Sequence, residues 1–194
     1  MKHLFSLLAV FFVALASQAQ TQASSKLKLP VLDKSPMDMA YYPSNYPVLR
    51  IQEKATEPLM ARAIYSRPQK DNRVIFGNVV EFGKLWRLGA NEATEVEFYN
   101  DVRIGGKKVA RGRYTLYAIP MATQWTIILN RDTDIWGAFK YDEKKDVVRL
   151  NVPVRKNAEP VEAFTIAFDK ISDGMNLIIA WDDVTVALPV SFKL

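Results

Sequence analysis

Gly112-Arg113-Tyr114-Thr115-Leu116-Tyr117-Ala118 decides the fold class: Tyr114, Leu116 and Ala118 alternate with Arg113, Thr115 and Tyr117. A period of two is the mark of a strand with one face turned to a core. The same alternation recurs on both sides of this stretch. Val96 and Phe98 alternate with Glu95 and Glu97, and Trp125, Ile127 and Leu129 follow. Val148, Leu150 and Val152 continue it, then Phe164, Ile166 and Phe168, then Leu177, Ile179 and Trp181, and last Val184, Val186, Leu188 and Val190. No segment after residue 60 sustains a 3.6 period, so helix is expected to be scarce. Gly105-Gly106, between Val102-Arg103-Ile104 and Lys107-Lys108-Val109, reads as a two-residue hairpin turn whose central residues need positive φ. Asp173-Gly174 and Asp182-Asp183 read as two further turns. Many short strands at regular spacing predict an all-β chain, a single antiparallel β-sandwich or open barrel of jelly-roll type.

Outward from this domain, residues 20–58 form a lead rich in proline (Pro30, Pro36, Pro43, Pro47 and Pro58). Proline removes backbone donors and favours extended structure, so the lead is expected to be extended. Its aromatic piece, Met37 to Leu49, is expected to lie along the domain surface. Lys2, the apolar run Leu4 to Leu15 and Ser17-Gln18-Ala19 have the three parts of a cleavable signal peptide over residues 1–19, with cleavage after Ala19. The run is short of the roughly 20 apolar residues that span a bilayer. The expected localisation is periplasmic or secreted, without membrane insertion, and the β domain covers 59–194.

Composition narrows the chemistry. The chain has no cysteine, and its one histidine, His3, leaves with the signal. Imidazole and thiol nucleophiles, zinc sites built on them and disulfides are then excluded. No metal or other cofactor is expected. Loss of Lys2 lowers the formal charge from +5 to +4, with basic and acidic residues interleaved, so a nucleic-acid partner is not expected.

The motifs Tyr65-Ser-Arg-Pro68, Arg73-Val-Ile-Phe-Gly77, Gly83-Lys-Leu-Trp-Arg-Leu-Gly-Ala-Asn-Glu-Ala-Thr94, Gly112-Arg-Tyr-Thr-Leu-Tyr-Ala-Ile-Pro120, Trp125-Thr-Ile-Ile-Leu-Asn130 and Trp136-Gly137 together resemble the DUF2911 family, as does the lead Ser35-Pro-Met-Asp-Met39. The resemblance covers nearly the whole mature chain. It implies an exported β-rich domain of Bacteroidetes-type bacteria and supplies no reaction.

Within these motifs, Trp86, Arg87, Asn91 and Glu92 combine a stacking face, a planar donor fork, an amide and a carboxylate in one turn. That set suits a sugar or a small acid. It equally suits a plug in which Arg87 pairs with Glu92, Asn91 bonds the turn backbone and Trp86 is core, and packing is the leading reading. Arg67 and Arg73 on one rim, with or without Arg87 as a third member, would form an anion-binding corner; the leading reading is that they cap strand-end carbonyls or face solvent. Trp136, in Trp136-Gly-Ala-Phe139, is either an aromatic platform or core, with core leading. The acidic pairs Asp132/Asp134 and Asp182/Asp183 lack the donor run of a calcium loop and read as turn residues. The leading function is a non-catalytic module that binds a polar small molecule or glycan, carbohydrate or anionic, associated with the envelope. The alternatives are a metal-independent hydrolase or lyase using Glu92 with Arg87, and a structural envelope protein that engages a partner.

Overall fold

The computed structural model describes residues 27–193; the expected signal segment and its cleavage point lie outside them. Ten strands build two antiparallel sheets: β1 Met37–Tyr42, β2 Ala61–Ser66, β3 Glu95–Phe98, β4 Val102–Ile104, β5 Lys107–Val109, β6 Gly112–Pro120, β7 Gln124–Asn130, β8 Asp146–Pro153, β9 Arg155–Ile171 and β10 Gly174–Ser191. One sheet has the order β1-β2-β3-β6-β7-β8 and the other β5-β4-β10-β9, so the chain is a sandwich rather than a barrel. The inward residues of the alternating runs meet between the layers, with Val96, Phe98, Leu116, Trp125, Ile127, Phe164, Leu177, Ile179 and Val186 almost fully buried. Alternation in the sequence thus becomes the two facing walls of one core.

The Gly105-Gly106 turn closes the β4–β5 hairpin with φ of 56° and 78°, a conformation that a side chain at either position would strain. Four sequence expectations need correction. Asp182-Asp183 is not a turn: β10 runs through it, with Asp182 at φ 51° and slips in its register to β9 between Ala180 and Val184. The odd-numbered inward residues up to Trp181 give way there to even-numbered ones from Val184, the phase change that an extra residue in a strand produces. Second, the turn at Asp173-Gly174 falls one residue earlier, since Gly174 already pairs with Ile171.

Third, the lead is not wholly extended. Met37–Tyr42 pairs along its length with β2 as the edge of the large sheet, and Tyr46–Ile51 forms a short helix, α1. Pro47 lies in the first turn of α1, where no intrahelical donor is needed. Fourth, Thr115 and Tyr117 do not face water. Tyr117 is buried with Ala93 and Ile128 in a second, smaller cluster on the outer face of the large sheet, covered by Leu85, Ile135 and Tyr141. The segment between β7 and β8 folds back to make this cover, and it carries Trp136.

Candidate functional site

Trp86 is core. Its backbone exchanges both hydrogen bonds with Ala118, which turns the indole between the sheets, where it stacks on Trp181 at 6.1 Å and meets Phe76, Trp125 and Phe164 edge-on. The buried indole Nε1 donates to the Gly89 carbonyl at 3.2 Å, satisfying the one polar atom of the ring. The rest of the turn is anchored from the side. Ser66 Oγ donates to the Ala90 carbonyl at 2.6 Å and accepts from the Ala90 amide at 2.7 Å, and the buried Thr94 hydroxyl donates to the Leu88 carbonyl.

Arg87 and Glu92 form no ion pair among the described residues, so the pairing expected within the plug is overturned while its core indole stands. Leu88, Gly89 and Asn91 all have positive φ, so the chain between Arg87 and Glu92 leaves the ordinary extended and helical paths. Arg87 ends half-buried, its Nε sealed without a partner, and burial lowers the guanidinium from its ordinary value. Glu92 is exposed. The Asn91 side chain makes no hydrogen bond to the turn among the described residues; its backbone carbonyl accepts from Gly137.

The arginine corner does not assemble either. Arg67 clasps three strands together, with Nη1 on Asp38 at 2.9 Å, Nη2 on Thr165 at 3.1 Å and Nε on the Phe164 carbonyl at 3.3 Å. Arg73 caps its own loop through the Lys70 and Gln69 carbonyls. Both therefore take the carbonyl-capping role, Arg67 with an ion pair added.

Trp136 is the opposite of its expected fate. The indole is 61 % exposed and stacks, at 5.9 Å and 18° between planes, on Phe139, which is 83 % exposed. The Phe139 ring lies where a Cβ on Gly137 would stand, 2.6 Å away, so only glycine at 137 (φ 74°) permits this stack. The Ala93 amide donates to the Ile135 carbonyl and the Gly137 amide to the Asn91 carbonyl, each at 2.9 Å, which makes Glu92 and Trp136 an antiparallel pair of the non-hydrogen-bonded kind. Side chains of such a pair stand close together on one face. The structure thus brings together two of the seven candidate residues, Glu92 and Trp136, with the backbone of Asn91 alongside, and adds Phe139.

Beside Glu92 lies a depression of about 240 Å³ with Met37, Ile64, Ala93 and Ile135 as its apolar floor. Its rim is a closed polar network. Arg113 bridges Glu95 at 3.3 Å and Asp134 at 2.7 Å, and the Asp134 amide donates to Glu95 at 2.6 Å. Glu95 and Asp134 are thereby engaged, while Glu92 has no partner among the described residues. Sequence reasoning placed Phe139 beside the platform without ranking it and missed Arg113. The positive-φ Gly137, which lets a ring fold over the backbone, is the signal that points to Phe139.

The family DUF2911, described as a protein of unknown function, matches over residues 50–190. The chain belongs to that family. No curated protein and no solved structure matches the sequence. In this DUF2911 domain the matched span contains Glu92, Trp136 and Phe139, together with strands β2 to β9 and all but the last residue of β10; β1 precedes it. No helix of the described residues is long and apolar enough to cross a membrane.

Proposed function

We propose that this DUF2911 protein is an exported, non-catalytic module that binds a neutral glycan of the cell envelope on the Trp136–Phe139 platform. The observation that carries the reading is the exposure of two stacked aromatic rings, on a segment tied by backbone bonds to the Glu92 turn, beside an unpartnered carboxylate. Large aromatic groups shown to water in this way mark interaction sites, because covering them releases apolar surface from solvent. A sugar ring presents an apolar C–H face to the indole and hydroxyls to Glu92. An anionic ligand fits less well, since the nearby rim holds Glu92, Glu95 and Asp134 against the one cation Arg113.

The enzyme alternative needs a second free carboxylate at about 5 to 9 Å from Glu92. Both neighbours in the depression are already held by Arg113 and the Asp134 amide, which favours binding without turnover. A panel of neutral oligosaccharides, followed by tryptophan fluorescence and by ligand NMR, tests the proposal. At least one oligosaccharide is expected to bind, with Trp136→Ala abolishing the signal and Glu92→Gln weakening it by about tenfold, as for loss of a hydrogen bond to a charged group. Absence of binding across the panel would overturn the reading. Release of chromophore from aryl glycosides, lost in Glu92→Gln, would replace it with the hydrolase.

A further inference from the structure

A second cleft opens at the bulge midway along β10, between the β6–β7 turn of the large sheet and Asp182 of the small one, with a volume of about 400 Å³. That is within the range of small-molecule sites. Its floor is aromatic: half-buried Phe76 presents the accessible ring and packs at 5.0 Å on Trp125, which is only 1 % exposed. Its mouth is apolar yet open, with Val74 63 %, Phe82 41 % and Met121 47 % exposed. None of the seven residues singled out in the sequence lines it.

Two opposite charges sit in this apolar setting without closing on each other. Lys70 Nζ and Asp182 Oδ1 are 3.8 Å apart, with only 20 % and 14 % of the two side chains exposed. That is about 1 Å beyond a charge-assisted hydrogen bond. Asp182 Oδ2 receives one long bond, 3.4 Å from the Ile75 amide, and Lys70 Nζ makes none among the described residues. The bulge aims the carboxylate here: Asp182 stands at φ 51° where β10 changes phase, a common device for redirecting a side chain at a site. The neighbouring pair behaves differently. Lys156 and Asp183 close to 2.5 Å and are largely solvated, so they are complete without a ligand.

An oxygen about 2.8 Å from both Lys70 Nζ and Asp182 Oδ1 would complete the triangle, accepting from the ammonium and donating to the carboxylate. Only a group with both capacities fits. The pair is neutral as a whole, so a charged ligand would leave one of the two desolvated charges opposed. The aromatic floor selects a ring for the body of the molecule.

We propose that this cleft binds a small uncharged aromatic alcohol or phenol, its ring against Phe76 and its hydroxyl inserted between Lys70 and Asp182. The site is separate from the glycan platform and does not depend on it. Titration of isotope-labelled protein with p-cresol, toluene and benzoate, followed by amide NMR, tests the proposal. p-Cresol is expected to shift the amides of Ile75, Asp182 and Asp183 saturably, with toluene and benzoate each about tenfold weaker or more, the factor expected for one hydrogen bond to a charged group. Lys70→Met should weaken p-cresol to the level of toluene, and Met121→Trp, a change at an exposed position, should block the mouth. Trp136→Ala should leave the titration unchanged. Toluene binding as tightly as p-cresol would mean an apolar cavity only, and shifts that never saturate would mean no site; either overturns the proposal. Unchanged p-cresol binding in folded Lys70→Met, or in Met121→Trp should Lys70→Met fail to fold, overturns it as well, and so does loss of binding in Trp136→Ala.

Discussion

Trp86 and Trp136 begin from similar sequence surroundings, each an indole in a glycine-containing turn beside a strand, and end in opposite places. Trp86 shares both of its backbone hydrogen bonds with Ala118 and is thereby paired to the centre of the large sheet, its ring 7 % exposed between the layers. Trp136 pairs instead with Glu92, itself part of a loop that lies over the outer face, and its ring is 61 % exposed. The fate of each ring follows from the backbone to which its own residue is bridged. Hydrophobicity is equal in the two cases; what differs is which side of the bridge remains for the side chain.

The largest effect that can break this comparison is a pair of truncations. Trp86→Ala should cost about 3 to 5 kcal/mol in denaturant melts, the range for emptying a buried aromatic site, whereas Trp136→Ala should stay within about 0.5 kcal/mol of wild type. Equal losses would show that the platform is part of the fold and remove the premise of the glycan reading.

A smaller effect probes the outer face of the large sheet by pH. Tyr117, at the heart of the outer cluster, has its pKa pushed up to about 12 by burial, with Asp132 and Asp146 adding to the rise. The folded state holds the phenolic proton more tightly than the unfolded chain, whose value is near 10. The contribution is therefore complete below pH 10 and is lost as the pH climbs through about 12, by roughly 2 to 3 kcal/mol. Tyr117→Phe should flatten that part of the stability profile. An unchanged profile would mean that the cluster loosens before its tyrosine ionises.

The smallest expected effect tests the overturned pairing. Arg87 is half-buried with its Nε unpartnered, so Arg87→Met should leave stability within about 1 kcal/mol of wild type or raise it, because the change removes a desolvation cost and keeps most of the apolar stem. A loss of several kcal/mol would reveal a partner for the guanidinium that the geometry does not contain.

The strands were legible because a half-buried strand writes its own period: Val96 and Phe98, or Phe164, Ile166 and Phe168, need no tertiary information to be placed on one face. Even the bulge is present in the sequence as a phase change between Trp181 and Val184. It was read as a turn because two aspartates suit a turn and a bulge equally well. The site was less legible. Arg87 and Glu92 appear suited to pairing only if the chain between them follows a simple turn, and three positive-φ residues redirect it. Trp136 was placed in the core because composition cannot show which face of a loop bridge is already covered. The cleft at Lys70 and Asp182 joins residues more than a hundred positions apart, and the local signal at Asp182 marks a break in the strand without pointing to Lys70.

The order of strands in the small sheet has a consequence for how such a chain is delivered. β10 is the tenth strand to appear along the chain yet lies between β4 and β9, and it supplies Leu177, Ile179, Trp181, Val184, Val186 and Leu188 to the core. A polypeptide that emerges from its N-terminal side can assemble the large sheet first, but β4 and β9 have no common neighbour until Gly174–Ser191 arrives. Closure of the sandwich is thereby timed to the emergence of this one hairpin arm, and pairings so distant in sequence form slowly. A chain interrupted ahead of β10 exposes one whole wall of its interior, which makes it a substrate for chaperones and proteases rather than a smaller working domain.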